Sequence, residues 1–409
     1  MSNACCIAEK PVYTDELADK FAAEVGVVPR PMETKNEIDE RGAFVRQPNA
    51  FIEKAGEGEG RWKPEAGRYQ IYWMKGCNWS NRPVIVRDIL GLTDVIYDIK
   101  TSPSGKTNKY GHGFGTEADY KDPKTGAYFL SELYKNANPD FKGRATTPTI
   151  VDVKEKKAVN NDYHRMTNYL EVNFRGLQPE DAPDLYPVKY RDVIDEFNDW
   201  LFPHINNGHY RMAFCQSLEA YEEAFEDFYA SMDKLEKRLS ENRFLFGDYI
   251  TDSDIRFFVT IVRWDTSYFK NVGPIRRRIA DYPNIYAYMK ELYNIPAFKN
   301  ATYVHDLVLG PAGDKNKLFA DWNVRIASQI DYDKLWADDG KRAELSSDPN
   351  KDIYLRHPKG ETVEDYQSEI SVSHWNSASQ ADRDPSDPKN SVLRVDASIN
   401  PLKGLLKNE

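Results

Sequence analysis

The sequence GCNWSNR at residues 76–82 joins a strand-like run, residues 68–74, to a helix-like run, residues 83–90. A cysteine at such a junction has its sulfur near the first free backbone N–H groups and the positive end of the helix dipole. That environment favours the thiolate, so we expect Cys77 to be nucleophilic near neutral pH, with Arg82 adding positive charge. Ser80 stands where a redox Cys-x-x-Cys has its second cysteine. Such a site forms a mixed disulfide with a small thiol but has no adjacent thiol to expel it. The alternative is a half-buried structural cysteine.

The composition is that of a globular enzyme. The chain has 409 residues, 40% hydrophobic and 13% aromatic, which is enough for two domains plus extensions. Its formal charge of −10 argues against nucleic acid or an anionic membrane as partner, and no apolar run approaches the ~20 residues that span a bilayer. The first ten residues lack the pattern of a signal peptide, and four cysteines are too few for a disulfide framework. We therefore expect a cytoplasmic protein that acts on a small molecule.

The first half of the chain mixes strands and helices. Its pattern predicts a strand, a helix, an apolar run, a long polar insertion, a hairpin and a second helix, in that order, at residues 68–74, 80–91, 94–99, 100–145, 147–160 and 162–170. This order, βαβ followed by ββα, is that of a thioredoxin-like domain. We expect this thiol-binding domain at residues 62–172, with Cys77 at the start of its first helix.

The second half of the chain has a helical pattern. Apolar residues recur at three- and four-residue spacing over residues 218–239, which predicts an amphipathic helix. A capping box at residues 251–254 begins a buried helix, and prolines bracket another at 283–296. We expect an all-helical substrate domain at residues 180–325.

Two polar segments flank these domains. Residues 1–61 lack sustained periodicity and end in a glycine-rich alternation, so ordered structure is expected to begin near Trp62. Residues 326–409 have too few apolar positions for a separate domain, and they predict a loose or surface-wrapping tail.

The motif CNWSNR at residues 77–82 resembles the Cys-Pro-Trp-Ala-His-Arg motif of the glutathionyl-hydroquinone reductases, the xi-like branch of the glutathione transferase superfamily. Further matches, in the family's order, are INNGHYR (205–211), FGD (246–248), VRWD (262–265) and RIADYPN (278–284). The resemblance covers about residues 62–310. It implies a thioredoxin-like domain followed by an all-helical domain, and a homodimer.

The resemblance also implies a thiol-binding side of the site. Cys77 would attack the glutathionyl thioether of a substrate, and a second glutathione would then attack the mixed disulfide. Thr147-Pro148 resembles the family's cis-proline pair, whose backbone binds the cysteinyl part of glutathione. Asp162 matches the acidic residue that faces the γ-glutamyl end, at a helix N-terminus.

On the substrate side, Tyr210 and Tyr268 match tyrosines that line the family's aromatic pocket, where a phenol would donate to a developing phenolate. From periodicity alone, both tyrosines are core or interface aromatics. Arg263, on the segment leading to Tyr268, is a further candidate for this pocket, although a surface or ion-paired arginine is the expected role.

Several positions depart from the family's pattern. Asn78 and Asn81 replace its proline and histidine, His112 aligns with a tryptophan that contacts glutathione, and Tyr163 stands for the serine that holds the γ-glutamyl carboxylate. All four are thiol- or substrate-binding positions. They leave open whether the thiol is glutathione or another low-molecular-weight thiol.

The leading hypothesis is a thiol-dependent reductase or transferase that acts through a Cys77 mixed disulfide on activated aromatic substrates. One alternative is a glutathione-dependent lyase or ether-cleaving transferase, and another is a non-catalytic binding protein on the same fold. His112 and His164 are too isolated in sequence to propose a metal site.

Overall fold

The computed structural model describes residues 13–29, 37–103, 109–115, 119–308, 329–338, 340–349, 352–373 and 375. The strands within these ranges are β1 (Tyr69–Trp73), β2 (Tyr97–Lys100), β3 (Ser102–Pro103), β4 (His112–Gly113), β5 (Thr149–Asp152) and β6 (Lys157–Asn160). The helices are α1 (Asp15–Val25), α2 (Asn78–Ile89), α3 (Leu130–Ala137), α4 (Met166–Asn168), α5 (Arg191–Leu201), α6 (Gly208–Phe214), α7 (Leu218–Glu241), α8 (Asp252–Trp264), α9 (Pro283–Tyr293), α10 (Pro296–Ala301), α11 (Val304–Val308), α12 (Tyr332–Leu335) and α13 (Val363–Tyr366). Wider π-turns extend α4 and α5 over Tyr169–Asn173 and Phe202–Asn206, and 3₁₀ turns lie at Arg175–Leu177, Val188–Tyr190, Tyr268–Asn271, Ile279–Asp281 and Arg342–Leu345.

The main sheet has four strands in the order β2-β1-β5-β6. Strand β1 pairs parallel with β2 and antiparallel with β5, so that Ile71 lies opposite Asp98 on one side and Ile150 on the other. Every residue of β1 is buried because the strand is central and covered on both faces. The predicted βαβ and ββα units are both present, and the thioredoxin-like fold is confirmed.

Helix α3 lies inside the segment that the sequence presents as a polar insertion. Leu130, Leu133 and Tyr134 bury one face of this helix. The Glu132 carboxylate begins it by accepting the N–H groups of Tyr128 and Phe129, at 2.8 and 2.7 Å. The sequence predicts a polar insertion here and does not predict this helix. A helix of two turns offers too few apolar positions for its periodicity to be visible.

The second half of the chain is helical, as predicted. The amphipathic pattern forms α7, and the expected capping box begins α8: the Asp254 carboxylate accepts the N–H and hydroxyl of Thr251 at 2.8 and 2.9 Å. Helices α8 and α10 pack against α2, and apolar side chains of both halves form one continuous core. The start of α2, which carries Cys77, is therefore held between the sheet and the helical half.

Ordered structure begins well before Trp62, in contrast to the prediction. Thr14 caps α1 by accepting the N–H of Leu17 at 3.2 Å. Phe21 of this helix stacks on Tyr128, with ring centroids 4.2 Å apart. A few spaced aromatic residues are enough to dock a short helix whose other face is polar.

The described parts of the C-terminal tail lie against the helical half. The Arg342 guanidinium donates to the carbonyls of Leu239 and Arg243, at 3.0 and 2.8 Å. The Tyr366 hydroxyl donates to Asp184 at 2.8 Å. Across the described ranges, no helix is both long enough and apolar enough to cross a lipid bilayer.

Candidate active site

Cys77 occupies the position that its sequence context predicts. It is the N-cap residue of α2, with extended backbone (φ −89°, ψ 114°), and its carbonyl accepts the N–H of Asn81 at 3.2 Å. Its half-buried Sγ lies 3.5 Å from the carbonyl oxygen of Thr147. The bond from Thr147 to Pro148 is cis, which confirms the predicted cis-proline. The Cys77 thiol and the cis-proline loop thus face each other.

Asp162 lies between β6 and α4, near the same end of the sheet. It is buried, and its Oδ1 accepts the N–H of His164 at 3.0 Å and lies 3.4 Å from Asn49 Nδ2. Its carbonyl accepts the N–H of Met166 at 2.9 Å, which places Asp162 at the start of the helix as predicted. Its role in thiol binding remains a prediction.

Cys77 packs against a set of rings that we call the aromatic cluster, formed by Trp79, Tyr163, Phe202, Tyr210 and Trp375. The ring of Trp79 lies 4.8 Å from Tyr163 and 5.8 Å from Tyr210, centroid to centroid. Tyr163 and Tyr210, predicted from the sequence for different ends of the site, are thus joined by one tryptophan. Such a surface suits a planar aromatic ligand.

Tyr210 and Tyr268 lie side by side. Their hydroxyl oxygens are 3.5 Å apart, and the Tyr210 hydroxyl donates to Asn78 Oδ1 at 3.1 Å. The ring of Tyr268 stacks on His209 at 3.6 Å. The family resemblance implies that a tyrosine hydroxyl of this pair donates to the substrate. In the structure, the Tyr210 hydroxyl donates to Asn78 instead.

Burial shifts the pKa of several ionisable side chains near Cys77. It raises the pKa of Tyr163 to about 12 and that of Tyr268 well above its ordinary value. Burial, with a smaller contribution from Arg46, lowers the pKa of His209 to about 3. Burial, with a smaller contribution from the charge of Arg82, lowers the pKa of His164 well below its usual value. These groups are therefore uncharged at neutral pH.

The two arginines near Cys77 are deeply buried. The Arg82 guanidinium lies 4.6 Å from the ring of Trp79, and burial lowers its pKa to about 9, so it stays protonated at neutral pH. Arg263 donates to Asn81 Oδ1 and to the carbonyl of Val259, both at 2.6 Å. The expected surface or ion-paired role of Arg263 is wrong, because the guanidinium is fully buried and is held by an amide and a backbone carbonyl. Substrate binding by Arg263 remains a prediction.

Two residues of the site come from the segments outside the predicted domains. Arg46 lies over the rings of Tyr210 and Trp79, at 4.3 and 4.9 Å, and its Nε donates to Asn207 at 2.6 Å. Trp375 packs on Phe202 at 5.2 Å. Neither residue was predicted from the sequence, because both lie in polar segments and reach the site only through the tertiary fold.

Arg46, Trp375 and Tyr163 line a narrow cavity of about 20 Å³ beside the cluster. That volume accommodates roughly one water molecule. The cavity is therefore too small for an aromatic ring.

His112 lies on the β3–β4 hairpin rather than in the aromatic cluster. It is half-buried, and its Nδ1 is 3.3 Å from the hydroxyl of Thr101. Its predicted contact with the thiol remains a prediction. Within the described ranges, no group of three or more His, Cys, Asp or Glu side chains is placed to hold a metal ion.

In sequence, this chain is similar to known glutathione transferases. Residues 219–291 match the model of the glutathione S-transferase C-terminal domain. The chain is 35% identical over 272 residues to glutathione S-transferase omega-like 2 of Schizosaccharomyces pombe, which covers 64% of this chain and 85% of the relative. It is 32% identical over 239 residues to the glutathionyl-hydroquinone reductase YqjG of Escherichia coli, which covers 58% of this chain and 73% of the relative.

Solved structures agree with these matches. The Xi glutathione S-transferase of Phanerochaete chrysosporium superposes with a TM-score of 0.61 at 35% identity, over 66% of this chain and 88% of that one. The glutathione-bound structure of YqjG superposes with a TM-score of 0.57 at 30% identity, over 66% of this chain and 87% of that one.

Proposed function

Because this chain belongs to the glutathione transferase superfamily, in the group that contains the glutathionyl-hydroquinone reductases, we propose that Cys77 is the nucleophile of its glutathione-dependent reaction. The chain is a glutathione-dependent enzyme of the reductase and transferase type, and glutathione is its thiol cosubstrate. The observation that carries the proposal is the position of Cys77 Sγ. It lies at the start of α2, 3.5 Å from the Thr147 carbonyl, and beside the aromatic cluster.

The proposed reaction has two steps. In the first, the Cys77 thiolate attacks the sulfur of a glutathionyl-hydroquinone; an S–S bond forms, the S–C bond breaks, and the electron pair leaves with the aromatic fragment, which takes up a proton. In the second, the thiolate of a free glutathione attacks the mixed disulfide and expels Cys77. The aromatic carbon is reduced from C–S to C–H, and the glutathionyl group of the substrate and the free glutathione thiol become one glutathione disulfide.

The residues around Cys77 suit both partners. The backbone of Thr147, beside the cis-proline, is placed to pair with the peptide-like backbone of glutathione, and Asp162 lies at a helix start near the same loop. The aromatic cluster beside Cys77, which includes Tyr163 and Tyr210, suits an aromatic fragment. Ser80 offers no second thiol, so a free glutathione is needed to release the mixed disulfide.

Steady-state turnover of a glutathionyl-hydroquinone tests the proposal. Cys77→Ser should reduce the rate of hydroquinone release to background, because a hydroxyl does not form the mixed disulfide. Cys215→Ser is the matched control: Cys215 is also half-buried and unpaired, but it lies at the end of α6. Unchanged turnover in Cys77→Ser would refute the assignment of the nucleophile.

We further propose a cytoplasmic homodimer. The low cysteine content supports a reducing compartment, and the family resemblance supports a dimer. Sedimentation velocity of the full chain measures the second directly; a single species with the mass of one chain at micromolar concentration would contradict it.

A further inference from the structure

We infer that Asn78, the residue directly after Cys77, assists the first step of the proposed reaction by donating a hydrogen bond from its side-chain amide to an oxygen of the substrate. The inference rests on the proposed function and refines it. The atom recognised is a carbonyl or phenolate oxygen near the carbon that carries sulfur.

The orientation of the Asn78 amide is fixed. Its Oδ1 accepts the N–H of Trp79 at 2.9 Å and the hydroxyl of Tyr210 at 3.1 Å. A backbone N–H can only donate, so the atom that it meets must be the oxygen of the amide and not the nitrogen. With Oδ1 held by these two donors, Nδ2 points away from them.

The Asn78 NH₂ group lacks an acceptor. The side chain is completely buried, and Nδ2 has no hydrogen-bond partner among the described residues. A buried amide without an acceptor is unfavourable and uncommon in folded proteins. The related motif has proline at this position, which has no side-chain donor, so this donor is particular to the present chain.

The tyrosine pair cannot supply the same hydrogen bond in the observed arrangement. Tyr210 gives its hydroxyl proton to Asn78, and the Tyr268 hydroxyl lies 3.5 Å from that of Tyr210. The hydrogen bonds therefore run from Tyr268 through Tyr210 to Asn78. Beside Cys77, the Asn78 amide is thus a donor for which the described residues offer no acceptor.

The chemistry of the first step calls for such a donor. In the keto tautomer of a glutathionyl-hydroquinone, the carbon that carries sulfur is tetrahedral and adjacent to a carbonyl. When the S–C bond of this tautomer breaks, the electron pair is delocalised onto the carbonyl oxygen, which becomes a phenolate and takes up a proton. A hydrogen bond to that oxygen strengthens as charge develops and so lowers the barrier. The second step, attack of glutathione on the mixed disulfide, involves no aromatic oxygen and does not need it.

The test compares the two steps in Asn78→Ala, Asn78→Asp and Tyr210→Phe. Asn78→Asp keeps the acceptor for Trp79 and Tyr210 but removes the donor, whereas Tyr210→Phe keeps the Asn78 donor. We expect kcat/KM for a glutathionyl-hydroquinone to fall about 10- to 100-fold in both Asn78 variants, the range for a hydrogen bond to a charged oxygen, and to fall less in Tyr210→Phe than in either of them.

The second step is measured separately. Cys77 is first converted to its mixed disulfide with glutathione disulfide, and the release of Cys77 by free glutathione is then followed. Its rate should fall by no more than about threefold in Asn78→Ala, and in Asn78→Asp it should fall much less than the first step. Equal losses in both steps would assign Asn78 a structural role and overturn the inference. The inference would also be overturned if Asn78→Asp stayed active while Tyr210→Phe was as slow as Asn78→Ala. That result would mean that Asn78 only orients Tyr210. A wild-type protein that forms and resolves the mixed disulfide but does not turn over the substrate would defeat the proposed function itself, and the inference with it.

Discussion

Replacing Arg263 by Met should destabilise the protein by removing the connection between α8 and the turn that carries Cys77. The guanidinium makes two hydrogen bonds of 2.6 Å, to Asn81 Oδ1 and the Val259 carbonyl. A charge-assisted hydrogen bond contributes about 1.5–3 kcal/mol, so the two together give about 3–6 kcal/mol. The methionine variant no longer has the cost of burying a charged guanidinium, which offsets part of this loss. We expect a net decrease in the free energy of unfolding of about 2–4 kcal/mol.

Urea unfolding followed by tryptophan fluorescence measures this change. A double-mutant cycle with Asn81→Ala isolates the Arg263–Asn81 contact, with an expected coupling of about 1.5–3 kcal/mol. Arg276→Met is the matched control, because Arg276 pairs with Glu226 on the surface, where both side chains are exposed; it should cost less than about 1 kcal/mol. A coupling below about 0.5 kcal/mol would refute the view that Asn81 and Arg263 hold the start of α2 together.

Two further predictions concern acid sensitivity and access. His209 has its pKa lowered to about 3 and is neutral when folded, whereas the unfolded chain takes up the proton below about pH 6.5, so stability is lost as pH falls from that value towards 3. His209→Phe should reduce the loss of stability between pH 7.5 and 5.5 by up to about 1.4 kcal/mol in urea titrations, and an unchanged loss would contradict the assignment. Trp375→Ala should speed alkylation of Cys77 by a bulky maleimide more than by iodoacetamide, because Trp375 packs on Phe202 beside the narrow cavity. Trp336→Ala, which removes a buried tryptophan packed on Tyr293, serves as control; equal effects of the two variants would contradict a covering role.

The parts of the site that lie close together in sequence could be predicted from it. Cys77 at the start of a helix follows from one strand-to-helix junction, and the cis bond before Pro148 is implied by the resemblance of Thr147-Pro148 to the family's cis-proline pair. Long helices with a regular apolar pattern, such as α7, could also be predicted, because the pattern repeats several times over 24 residues.

Features that depend on distant contacts could not be predicted. Arg46 and Trp375 reach the aromatic cluster from polar segments at opposite ends of the chain, where no local pattern marks them. Arg263 was expected at the surface or in an ion pair because arginines are mostly exposed, but its guanidinium is buried and donates to Asn81 on another helix. The donor role inferred for Asn78 likewise depends on Tyr210, which is 132 positions away.

A single turnover without free glutathione tests the central claim most directly. The protein is mixed with one equivalent of glutathionyl-hydroquinone, released hydroquinone is quantified, and the modified cysteine is located by peptide mass spectrometry. We predict close to one equivalent of hydroquinone per chain, with the glutathionyl group on Cys77 and its removal on later addition of glutathione. Hydroquinone release without a glutathionyl group on Cys77, or no release until free glutathione is added, would contradict the mixed-disulfide mechanism.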